Sequence, residues 1–137
     1  MEGMAKLALE EYRAFVQHRG TLSPDNLHEY RLECKRFRYT AELAGDEPKG
    51  KDLVEVWKKL QDLIGEWHDY LMLAELAEEI LGDSAAHSEL VNLTGRKFGD
   101  AKAAVEKAEK KWVVSASQVP KKEPRRARSG RRSSYAA

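Results

Sequence analysis

The sequence predicts an all-α protein, an antiparallel four-helix bundle with long helices and a disordered basic C-terminal tail. Three observations predict it. Apolar residues recur at three- and four-residue spacing over most of the chain, the period of a helix with one buried face. Breakers are rare: of four prolines, Pro48, Pro120 and Pro124 fall in expected loop or tail. A length of 137 residues with 42% hydrophobic and 34% charged side chains suits one compact core with many solvated positions.

The first helix is expected from about Glu2 to His18, with Leu7, Tyr12, Phe15 and Val16 on one side and Gly20 closing it. Ser23-Pro24-Asp25 opens the second, since serine caps a helix well and proline fits its first turn. That helix carries Leu27, Tyr30, Cys34, Phe37 and Ala41 as its apolar stripe and ends near Ala44-Gly45. The run Gly45-Asp46-Glu47-Pro48-Lys49-Gly50 is a break. The third helix extends from about Lys51 to Leu81, with Trp57, Leu60, Leu63, Ile64, Trp67 and Leu71 facing the core, and Gly82 ends it. Asp83-Ser84 caps a fourth helix reaching about Ser117. Residues 1–118 therefore form the bundle. Residues 119–137 are Pro, Lys, Arg, Ser and Gly with almost nothing apolar, the composition of a disordered segment.

The net charge of +1 conceals an asymmetry. The segment Val119–Ala137 carries seven Lys/Arg and one acid, or +6, which leaves the body with 17 basic against 22 acidic side chains, or −5. An anion that binds the body must therefore use a local cluster, because the mean field opposes it. The single cysteine, Cys34, excludes an internal disulfide, and no CxxC-type metal spacing occurs. There is neither a signal-peptide pattern nor an apolar run long enough to span a bilayer, so a cytoplasmic protein without a membrane partner is expected.

On the second helix, His28, Arg31, Lys35, Arg38, Tyr39 and Glu42 fall within roughly a third of the helical circle, away from the apolar stripe, at about 100° per residue. Arg36 lies about 80° to the side of His28 on the same wheel. His28, Arg31, Lys35 and Arg38 make a ladder of donors about 15 Å long at 1.5 Å per residue. Like charges so stacked repel by a few tenths of a kcal/mol per pair, a cost that an anion with regularly spaced charges would offset. Basic helix faces are common and are usually just solvated. Here a second polar set faces away from the tryptophans of the third helix: Lys58, Gln61, Asp62, Gly65, His68, Asp69 and Met72. Gly65 in mid-helix costs about 1 kcal/mol relative to alanine and points either to close approach of another backbone or a ligand or to plain helix–helix packing.

The segment from Leu27 to Leu43 closely resembles the signature helix of CHAD domains (conserved histidine α-helical domains), H-x-x-R-x-x-x-K-R-x-R-Y-x-x-E. The stretch Trp57–Asp69 resembles their second signature, L-K-x-L-Q-x-x-L-G-x-x-H-D. The two motifs occur in order with a compatible gap. The resemblance implies an all-α fold that binds inorganic polyphosphate, without catalysis or cofactor, as a targeting or scaffold module. It implies contacts from His28, Arg31, Lys35, Arg36, Arg38, Lys58, Lys59, Gln61 and His68, with Tyr39 and Asp69 in support. Asp69 is expected to orient His68 or a cation. A full family domain has two related bundles around a groove, and this chain resembles the second. Either it is a piece of such a domain or two copies associate to rebuild the groove. Association with polyphosphate granules in the cytoplasm is the matching expectation.

Two rival readings stand beside it. His68-Asp69 is an HD pair, as in HD-type metal phosphohydrolases, although a lone dipeptide is weak evidence and the contexts of His18, His87 and Asp100 do not complete a metal set. The tail, through Lys121, Lys122, Arg125, Arg126, Arg128, Arg131 and Arg132, is suited to nucleic-acid phosphates without sequence readout.

Overall fold

The computed structural model describes residues 3–114 and contains four helices: α1 (Met4–His18), α2 (Pro24–Glu42), α3 (Pro48–Leu81) and α4 (Ala85–Glu109). A π-helical turn, Lys110–Val114, continues α4. Glu2, the expected end of the last helix at Ser117 and the 119–137 tail lie outside the described residues.

The helix starts follow from their caps. Ser23 accepts a bond from the Asn26 amide while the Asn26 side chain accepts from the Ser23 amide at 2.7 Å, a reciprocal box that fixes the start of α2. Ser84 caps α4 by accepting from the His87 amide at 3.1 Å. Pro48 begins α3 three residues earlier than expected, because proline is accommodated in the first turn as Pro24 is in α2. Gly82, at φ +66, ends α3 with its amide bonded to the Glu78 carbonyl. The first helix is closed by Arg19 rather than by Gly20. Its backbone turns extended at φ −76 and ψ 149, which carries the guanidinium toward α4.

Helix α3 is the spine. α1 and α2 pack on its first half, and α4 returns along it, with Trp67 edge-on to Phe98 at 5.8 Å. Leu27, Tyr30, Cys34, Phe37 and Ala41 of α2 are buried, as are Trp57, Leu60, Ile64 and Trp67 of α3, while Leu63 and Leu71 are half-buried. Of the expected face of α1, Tyr12 is buried and Phe15 and Val16 pack against the core, and only Leu7 departs from it. Leu7 is 42% exposed, and Ala5, Ala8, Leu9 and Tyr12 face inward. Small residues are wanted there because three helices converge: a Cβ at Gly50 would lie 2.9 Å from the Ala44 Cβ, 3.3 Å from the Ala41 carbonyl oxygen and 3.7 Å from the Ala5 Cβ. Tyr12, Phe15, Tyr30, Phe37 and Trp57 fill the centre as a cluster of edge-on and tilted rings.

One charge is buried in this core. Glu109 is only 6% exposed, at the last residue of α4. Arg19 grips it with two bonds, Nε to Oε2 at 2.8 Å and Nη2 to Oε1 at 2.6 Å. The Tyr30 hydroxyl donates to Oε2 at 2.8 Å and itself lies 2.8 Å from the Tyr12 hydroxyl. Arg13 of α1 donates to the Trp112 carbonyl at 3.1 Å, which pins the π turn. Helices α1, α2 and α4 are thus tied through one carboxylate, which is tolerable in the interior only because every partner is present.

Removing one partner leaves that charge uncompensated. Arg19→Ala is expected to cost about 3 kcal/mol of unfolding free energy in urea titrations, and Arg19→Met/Glu109→Leu to recover most of it. Arg19→Ala as stable as wild type would show the network to be dispensable. Burial pushes the Tyr12 and Tyr30 hydroxyls above their ordinary 10.0 and the Cys34 thiol above its ordinary 9.0. Since the folded values are raised, the unfolded chain releases these protons first. Stability is then complete below about pH 9 and declines as the pH rises from there, a slope that Tyr30→Phe should make shallower in urea titrations at pH 8, 9, 10 and 11.

Candidate functional site

The two polar ladders read from the sequence meet across the α2–α3 interface. His28 and His68 stack with ring centroids 4.7 Å apart and 22° between planes, both half-buried. Each occupies the polar edge of a helix whose opposite face is core, so the packing that buries Leu27 and Trp67 also brings the imidazoles together. One turn along α2, Arg31 reaches over to α3 and donates Nε to the Gln61 carbonyl at 3.2 Å.

This contact accounts for Gly65. A Cβ there would lie 3.0 Å from Arg31 Nε and 3.4 Å from Nη2, so the bare backbone makes the seat on which the guanidinium rests. The close approach at Gly65 is that of a side chain of α2, as helix–helix packing would have it. Arginine is suited to this, because its flat guanidinium can lie on a peptide surface and still offer N–H groups at its edge.

Farther along α2, Lys35 and Arg38 flank the exposed ring of Tyr39, with Nζ 6.0 Å and Cζ 5.1 Å from its centroid. The ladder His28, Arg31, Lys35, Arg38 is thus continuous, with Tyr39 as its aromatic backing. Glu42 draws on its last rung, with Oε2 3.6 Å from Arg38 Nε. Three site residues also carry buried polar atoms that make no hydrogen bond among the described residues: His28 Nδ1, Gln61 Oε1 and Arg38 Nε.

Not every expected residue joins the ladder. Arg36 turns away from it, pairs with Glu33 at 2.7 Å and with Glu11 of α1 at 3.6 Å, and covers the Phe37 ring. Lys58 borders a groove with Glu42, Gly45, Lys51 and Glu55 where α2 ends and α3 begins. Lys59 lies on another face, in a groove between α3 and α4 with Lys107, Lys111 and Trp112. The reason is angular: neighbours on a helix point about 100° apart, so Lys58 and Lys59 cannot serve one face. Asp69 is exposed and makes no hydrogen bond to His68 among the described residues. It instead lines an open groove of about 490 Å³ with Arg31, Gln61, Asp62, Gly65 and Glu66.

That groove sets the electrostatics. Its α3 wall carries Asp62, Glu66 and Asp69, of which Glu66 is paired with Lys97 at 3.3 Å. The cations stand on the α2 ridge and the carboxylates on the α3 flank, so an anion is directed along α2 rather than down the groove. The wheel gave the ridge, but it could not show that the flank is acidic on the side next to Arg31. Among the described residues no group of three or more His, Cys, Asp or Glu side chains converges to hold a metal ion. No helix among them is long and apolar enough to cross a membrane.

Gly65→Ala tests the seat. The displaced atoms are the far end of a flexible side chain, so the fold should hold and gain up to about 1 kcal/mol from helix propensity. The Arg31 Nε–H resonance should lose its protection from exchange. A protected Nε–H in the variant would show that Arg31 does not depend on the glycine.

A family model described as CHAD domain matches residues 2–78, which takes in α1, α2 and α3 as far as Glu78. No curated protein and no solved structure matches the chain.

Proposed function

The chain belongs to the CHAD-domain family, and from that premise we propose that it binds inorganic polyphosphate, without catalysis, along the basic ridge of α2. The family is associated with polyphosphate binding. The observation that carries the reading is the junction of the ladders, where His28 stacks on His68 at 4.7 Å and Arg31 is seated on Gly65. Matching residues on two helices become one surface there, at a mid-helix glycine that helix propensity alone disfavours.

In this reading the Arg31 and Arg38 guanidinium groups fork onto phosphate oxygens and Lys35 acts as a point charge. Lys58, at the far end of the ridge, extends it. His28 and His68 donate to the anion, more strongly when protonated, and a phosphate at the edge of the stacked pair relieves the repulsion of two imidazolium groups. Tyr39 stiffens the ridge by holding Lys35 and Arg38 against its ring. Arg36 and Lys59 contribute little, since the first is engaged with Glu33 and Glu11 and the second faces α4. Cytoplasmic location, association with polyphosphate granules, a role as targeting or scaffold module and pairing of two copies into a two-bundle domain all belong to this proposal. So does an auxiliary, sequence-independent contact of residues 119–137 with phosphates.

The test is a titration of long-chain polyphosphate, short oligophosphates and single-stranded DNA against wild type and Arg31→Ala/Lys35→Ala. Two charge-assisted contacts at about 1.5–3 kcal/mol each predict a loss of polyphosphate affinity on the order of a hundredfold or more, with DNA binding unchanged. If affinity survives that substitution and vanishes only when residues 119–137 are deleted, the ridge is not the site. Metal-dependent release of phosphate would return the HD reading.

An imidazolium brings a positive charge and a second N–H donor that the neutral ring lacks, so polyphosphate affinity should fall as the pH rises. His28→Gln/His68→Gln should flatten the profile. An equally steep profile in that variant would remove the imidazoles from the site.

A further inference from the structure

The groove that holds Lys59 carries chemistry of its own. Its floor is Val56 and Leu60 of α3 with Ala104 and Ala108 of α4, its end wall is Trp112, and its volume is about 250 Å³. Lys59, Lys107 and Lys111 border it, and no carboxylate lines it. The other grooves described above differ: Asp62, Glu66 and Asp69 line one, and Glu42 and Glu55 another. Two other lysines of α3 and α4 are paired, Lys51 with Asp46 and Lys97 with Glu66, whereas no ion pair among the described residues engages Lys59, Lys107 or Lys111, which share one groove. Glu109, two residues from Lys111, is committed to Arg19 and Tyr30.

The wall is also fixed in place. Trp112 lies in the π turn and lines the groove, the Arg13 guanidinium holds its carbonyl at 3.1 Å, and Lys111 Nζ sits 5.3 Å from the centre of its ring. Lysines bordering an apolar floor commonly lay their stems along it and keep their ammonium groups in water. Three of them converging on one floor without a counter-charge repel one another, which an occupant bearing negative charge would relieve. The apolar floor and aromatic wall require that occupant to have an apolar body, which a chain of phosphates lacks.

We propose that this groove is a second ligand site, for a small organic anion with a flat apolar body and a phosphate or carboxylate group. The body lies on Ala104 and Ala108 against Trp112, and the anionic group is held at the rim by Lys59, Lys107 and Lys111. The site is separate from the α2 ridge and does not rest on the polyphosphate reading.

The probe is 1-naphthyl phosphate, titrated against the full chain with the Trp112 indole N–H followed by NMR. Inorganic phosphate, long-chain polyphosphate and phosphatidylglycerol vesicles serve as controls. Saturable shifts at Trp112 are expected with naphthyl phosphate and not with inorganic phosphate or polyphosphate. Lys59→Gln/Lys107→Gln/Lys111→Gln should weaken binding about tenfold or more, since the charges act together on one group. Ala104→Trp, which fills the floor, should abolish it. The lysine variant leaves the floor intact, so its result stands even where Ala104→Trp does not fold. Shifts that do not saturate, equal affinity in the lysine variant, equal response to inorganic phosphate, or a response confined to vesicles would each overturn the site. Arg31→Ala/Lys35→Ala should leave this binding unchanged, so the two sites fail or succeed independently.

Discussion

The C-terminal end of α4 is fixed by a single buried carboxylate. Glu109 closes the helix against α1 through Arg19 and against α2 through Tyr30, and without it α4 would be held chiefly by its seam with α3. A hydrophobic contact in its place would tolerate sliding along the helix axis. A two-pronged ion pair with a tyrosine on the same oxygen does not, because each bond fixes a direction as well as a distance. Trp112 and the π turn follow from that anchoring, and with them the shape of the α3–α4 groove.

Much of the fold was legible in the sequence, because the stripes of α2 and α3 are large apolar residues at helical period and the starts of α2 and α4 carry serine caps. The face of α1 was less legible. Its inward positions include Ala5 and Ala8, whose small side chains give a weak pattern beside the more prominent Leu7. Glu109 was not legible at all. It sits in the Lys/Glu-rich run Glu106–Lys111, which reads as solvated surface, and its partners are 79 and 90 residues away. No local pattern announces a contact at that separation.

The candidate ridge shows the same division. The ladder on α2 is a property of one helix, so its angular order could be read directly, including the sideways placement of Arg36. Its meeting with α3 is tertiary. Gly65 signalled that something approaches closely, and the identity of the visitor, Arg31, came only from the packing of two helices. The adjacent lysines Lys58 and Lys59 show where a linear motif misleads, since consecutive matches on a helix serve different faces. The acidic flank formed by Asp62, Glu66 and Asp69 likewise became visible only once Arg31 was placed beside it.

The far end of the α3–α4 hairpin has a consequence for behaviour in solution. Met72, Leu73, Leu76, Ile80, Leu81 and Val91 are exposed there, Ile80 by 69%. From Asp69 through Gly95 the chain has six carboxylates, Asp69 included, and no lysine or arginine. Those carboxylates act as colloidal spacers that keep like molecules from meeting through their apolar tips. Their range is the Debye length, about 10 Å at 0.1 M salt and 3 Å at 1 M. Added salt would therefore act on both regions at once, weakening the proposed hold of the α2 ridge on an anion and the repulsion between hairpin tips. An affinity that falls with ionic strength reports on the ridge alone only while light scattering shows the particle size to be constant.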